Sequence, residues 1–168
     1  MAEFTSLLQI LAQVFIAFAG FAGVVAAFST IRLSPEVTAF RVRSLVAVAL
    51  FAMVAALLPF LFEEFGASGT DALRIAGVPV AVGIIGLSIW IWRQSLPLYK
   101  AGVLHTQAFA IAEYVIAAML AAAILAVSAG LLADLAAAIY LTTLFFGLAL
   151  CSYYFILVIL AVDLQSRK

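Results

Sequence analysis

Few side chains in this 168-residue chain can do chemistry, so those that can stand out. Glu113, in the run FAIAEYVIAAML, is the acid placed furthest from water. It sits about 5 residues into an apolar segment, which at 1.5 Å of rise each puts it ~8 Å below the headgroups. An acid at that depth is a functional candidate by default, for instance as a proton or cation site. The plainer reading, favoured on the sequence alone, is an interfacial carboxylate paired with Arg93 or reached by water, because so shallow a charge can snorkel outward. His105, eight residues earlier, belongs to the one residue type that ordinarily titrates near neutral pH. A lone loop histidine is usually no more than solvated.

Gln9 and Gln13 are the sharper candidates. A carboxamide inside the bilayer costs free energy unless it finds hydrogen-bond partners. These two sit one helical turn apart in FTSLLQILAQVFIAFAGFAGVVAAFSTI, residues 4–31. At 100° per residue they share a face with Gly20, Gly23 and Ala27, joined by Ser6, Ala12, Ile16 and Thr30. The opposite face carries Leu7, Leu11, Val14, Phe15, Phe18, Phe21 and Val25. The expectation is that the slender, amide-bearing face meets protein or a pore, and the bulky face meets lipid. In a homo-oligomer, first helices from several subunits would then ring an aqueous path with amides above a Gly20–Gly23 waist. The plainer alternative is that both amides bond other helices of a single bundle. On the last apolar run, Tyr140, Thr143, Gly147, Cys151 and Tyr154 recur at three- and four-residue spacing. That stripe is expected to face protein, as packing and hydrogen bonding.

Other chemistries lack their residues. One histidine, outside the apolar runs, removes bis-histidine haem and histidine-built metal sites. Lys100 and Lys168 both lie outside those runs, leaving no intramembrane amine for a retinal-type Schiff base. Cys151 stands alone, which excludes a disulfide within the chain and any cysteine-built cluster. There is no HExxH, no paired intramembrane aspartate, no phosphate loop and no dinucleotide fingerprint. No enzyme, metal or cofactor is expected, and nothing points to nucleic acid.

The elements that must position these residues follow from composition. Hydrophobic residues make up 68% of the chain and charged ones 10%. Soluble domains carry about 25% charged residues, so this is expected to be a multi-pass membrane protein with the lipid bilayer as its main partner. The expected fold is an all-α bundle of five transmembrane helices forming one domain, 1–168. The spans fall approximately at 4–31, 44–62, 74–93, 108–129 and 135–162. The start carries no basic region before its apolar run, so the first helix is expected to be retained and not cleaved as a signal.

Charge sets the expected orientation. Arg32, Arg41 and Arg43 fill the first connection, Arg93 and Lys100 the third, and Arg167 and Lys168 the end. Glu63, Glu64 and Asp71 dominate the second connection, and Asp134 is the only charge in the fourth. Seven of the eight basic residues thus fall on one side, which places the N-terminus outside and the C-terminus in the cytoplasm, as in a bacterial inner membrane. Pro79 is expected to start or kink the third span, and the segment SLPLYKAGVLHTQAFA, residues 95–110, to lie along the cytoplasmic interface. Asp134 is expected to cap the fifth helix, and the alanine-rich fourth and fifth spans to pack as a pair.

The functional expectation is a homo-oligomeric channel for a small ion or solute, lined by the first helix. The alternative is a non-catalytic subunit or scaffold of a larger membrane complex. A third reading is a proton-linked small-solute carrier using Glu113.

Overall fold

The structure is a computed structural model that describes the backbone at residues 2–28, 35–101 and 107–166, and side chains at 4–24, 36–101 and 111–159. Among the described residues there are five α-helices: α1 (Ala2–Phe28), α2 (Pro35–Glu64), α3 (Gly69–Lys100), α4 (Gln107–Ser128) and α5 (Ala136–Ser166). Each is long and apolar enough to cross a membrane. His105 lies outside the described residues, as does the side chain of Ala27.

The helices overrun the expected spans where the sequence turns polar. α2 opens at Pro35, the first-turn position where the missing N–H costs nothing. It carries Arg41 and Arg43 inside the helix instead of in a loop. Arg41 reaches across to α5, where its guanidinium donates to the Leu157 carbonyl at 3.2 Å. α3 runs unbroken through both Pro79 and Pro97 to Lys100, so residues 95–100 continue the third helix, while 102–106 lie outside the described residues. An apolar surround favours this outcome, because a helix that gives up one bond to proline keeps all its others.

Two turns close one end of the bundle. After α2 the chain passes through Gly66 at φ 90°, with Gly66 N–H donating to Glu63 at 2.9 Å and Ala67 N–H to Phe62 at 3.1 Å. After α4 it passes through Gly130 at φ 84°, with the same pair of bonds to Val127 (2.9 Å) and Ala126 (3.0 Å). Both are Schellman turns, which need a residue able to adopt positive φ and which satisfy carbonyls the helix end would otherwise orphan. Asp134 does not cap α5. It falls inside a short 3-10 turn, Ala133–Leu135, with its side chain exposed.

α2 is the hub, with α1, α3 and α5 packed around it, while α4 lies mainly along α3. The expected α4–α5 pair is therefore only a minor contact. Its place is taken by α3, whose Gly77 is pressed against Ile124 and Ser128 so closely that even a methyl group would collide. The buried faces are rich in alanine (Ala49, Ala52, Ala55, Ala76, Ala81 and Ala121 among them), which lets backbones approach closely. The α5 stripe faces inward as expected: Tyr140, Thr143, Cys151 and Tyr154 are all buried.

One proline inside this core is answered by a side chain from another helix. Pro59 has no N–H to give the Ala55 carbonyl one turn back. The Tyr140 hydroxyl of α5 donates to that carbonyl at 2.6 Å, and both residues are buried.

Candidate functional site

The first helix is turned the other way round from expectation. Leu8, Leu11, Ala12, Phe15 and Ala22 are the residues of α1 that enter the core. Gln9, Gln13, Gly20 and Gly23 are exposed, and a side chain added at either glycine would meet open space. Leu11 and Phe15, expected against lipid, are buried, and Phe18 and Phe21 lie edge-on to Phe155 at 5.7 and 5.1 Å between centroids. The physical reason lies on the neighbouring helices. The small residue that receives Phe15 is Gly147 of α5, which also lies close to Ala52 of α2. Close packing needs one small partner per contact, and here α1 supplies the large one. The two carboxamides therefore do not serve as bonds inside the single bundle.

Glu113 moves in the opposite direction, from the edge to the interior. It lies in the second turn of α4, and the residue is only 8% exposed. Packing within the bundle buries it, whatever its depth in the bilayer. The Tyr154 hydroxyl donates to it, with the two carboxyl oxygens at 3.1 and 3.3 Å. Arg93 is exposed and does not pair with it. Trp92 explains why: it turns toward α4, stacked edge-on against Tyr114 at 5.3 Å, which swings the next residue some 100° away. The one ion pair among the described residues is Arg74–Asp71, at 3.6 Å on the opposite end of α3.

Beside Glu113 is a partly open chamber of about 60 Å³ lined by α2, α3, α4 and α5. Its walls are apolar apart from Glu113, Ser88 and Thr143, and the Thr143 hydroxyl is already donated to Ile139 at 2.9 Å. Four of the chain's five tyrosines gather here. Tyr154 touches the carboxyl group, and Tyr99, Tyr114 and Tyr153 lie within reach of its field. Arg41 in turn approaches Tyr153. One acid and one phenol are thus in contact, with three further phenols and one guanidinium coupled to them through charge, at the basic end of the bundle. A phenol can donate to a carboxylate and accept from a carboxylic acid, so the Tyr154–Glu113 contact survives either charge state.

Sequence reasoning named Glu113 and Tyr154 separately and did not join them. Ser88 and Arg41 were not singled out at all. Helix parity held the missing signal, since α4 begins and α5 ends on the same side, which puts an acid early in α4 level with a tyrosine late in α5. Comparison with protein-family models, with curated proteins and with solved structures finds no match for this chain.

Proposed function

We propose that the protein carries out proton-linked transport across a membrane, with Glu113 as the group that takes up and releases the proton. The observation that carries this reading is the burial of that carboxyl group beside an interior chamber, with Tyr154 as its hydrogen-bond donor. A bare anion at such a site is costly, so the group is occupied in turn by a proton or by a cation. Tyr154 holds the carboxyl group in place through that exchange, and Tyr99, Tyr114 and Tyr153 soften the field around it. In this reading the basic end, with Arg41, Arg43, Arg93 and Lys100, faces the cytoplasm of a bacterial inner membrane, and the N-terminus faces out. Proteoliposomes loaded with a pH-sensitive dye and given an acid step beside a mixed pool of small solutes test it. Proton entry above the rate of empty vesicles is expected, falling about tenfold or more in Glu113→Gln. Equal rates in the two proteins remove the reading.

A second reading, a homo-oligomeric channel lined by α1, is favoured by a different observation: the stripe of Gln9, Gln13, Gly20 and Gly23 is exposed along the outer side of the bundle. Lipid is a poor surround for two carboxamides, so other copies of the chain, or a larger complex, are their natural cover. Here Gln9→Leu with Gln13→Leu is expected to change ion flux while assembly survives, and unchanged flux ends the channel reading. A purified protein that conducts nothing but retains a partner in fixed ratio through mild detergent marks a scaffold instead.

A further inference from the structure

The chamber beside Glu113 adjoins a second hollow. A groove of about 260 Å³ runs along the outer side of α3 and α4, lined by Ile85, Ile89, Trp92, Tyr114 and Ala118. Ile84, Ser88 and Ala117 line both spaces. The wall between the lipid-facing groove and the carboxyl group is therefore a single layer of side chains, and two of the three are small. The tight clamp between α3 and α4 at Gly77 lies away from this wall, toward the far end of both helices.

Building on Glu113 as the ion-exchanging group, we infer that chamber and groove together form a sideways binding site for an amphiphilic monoamine that arrives from the bilayer. Its ammonium head occupies the inner chamber against Glu113, and its hydrocarbon tail lies along the groove over Trp92 and Tyr114. The ammonium takes the place of the carboxyl proton, which leaves to water, so amine and proton compete for one position.

Charge, size and polarity each narrow the class. Glu113 is buried with no described basic side chain paired to it, so the complementary head is cationic. The group in contact with it is the Tyr154 phenol of α5, and Tyr99 of α3, Tyr114 of α4 and Tyr153 of α5 feel its charge. Arg41 of α2 acts on Tyr153 and donates to the Leu157 carbonyl. The chamber, about 60 Å³, has room for an –NH3+ group. A primary ammonium donates hydrogen bonds to the carboxylate, which a trimethylammonium head cannot do. The groove is almost wholly apolar and opens toward hydrocarbon, which suits a tail and not a hydrated ion.

Trp92 lies in the groove and Trp90 is the only other tryptophan, so Trp90→Phe leaves a single reporter at the site. That protein, in phosphatidylcholine nanodiscs at neutral pH, is titrated with n-octylamine and, separately, with n-octyltrimethylammonium. A saturable change in Trp92 emission is expected with the amine, and only the unsaturated drift of partitioning with the bulky head. Half-saturation is expected to move to higher amine as the pH is lowered, since protons compete. In the same background Glu113→Gln is expected to abolish the saturable change and Glu113→Asp to keep it. Ala117→Leu thickens the wall and is expected to weaken binding about tenfold, with Ser88→Leu doing the same if the first variant does not assemble. A saturable response that persists in Glu113→Gln, or that is equal for the two head groups, overturns the site. Absence of amine binding with proton flux still dependent on Glu113 removes this site alone. Flux and binding both indifferent to Glu113 remove the transport reading as well.

Discussion

Phe15→Ala is expected to loosen α1 from the bundle at a cost of about 2 kcal/mol. The ring is fully buried, seated beside Gly147. In water, truncating such a residue costs ~3–5 kcal/mol, part of it transfer from solvent. Within a membrane the transfer part is largely missing, because lipid is as apolar as the core, and the lost packing and residual cavity remain. The neighbour gives the contrast. Ile16 is 53% exposed, and Ile16→Ala is expected to cost under about 0.5 kcal/mol. Unfolding in mixed micelles against rising denaturing detergent measures both. Equal losses at the two positions would mean that the orientation of α1 is wrong.

Tyr140→Phe is the second large effect. It removes one oxygen and strands the Ala55 carbonyl, which Pro59 has already deprived of its helical donor. An unsatisfied buried carbonyl costs ~1–3 kcal/mol. Pro59→Ala restores an N–H one turn along, so in that background Tyr140→Phe is expected to lose less than about 0.5 kcal/mol. The four proteins form a double-mutant cycle in which the coupling itself is the evidence. Additive losses would show that the hydroxyl and the proline are unconnected.

The five helices were legible because composition and long apolar runs dictate them: in a bilayer the backbone has no other way to satisfy itself along a single segment. Their ends were not. Arg41 and Arg43 read as loop because charge normally marks water, yet Arg41 finds a carbonyl on α5 from within the helix. Pro79 read as the start or a kink of the third span, whereas the helix begins ten residues earlier and runs on through Pro97, because proline removes one bond and leaves the helix standing where neighbours support it. The stripe on α5 was legible, since its inward side is the one with polar tips needing partners. The orientation of α1 was not, because residue size on one helix cannot say which of two packing partners provides the small side. Glu113 was visible as a lone acid, but its burial was not. That burial comes from packing within the bundle and a tyrosine 41 positions away, and neither is encoded in its own neighbourhood.

The contact between Tyr140 and Ala55 also has a consequence in time. Its partners are 85 positions apart, so at about 5–20 residues per second the ribosome delivers the acceptor on the order of ten seconds before the donor. Throughout that interval the newly inserted first hairpin holds a naked backbone oxygen in its middle. Until the last helix arrives, water or a local 3-10 adjustment of α2 is what can satisfy that oxygen.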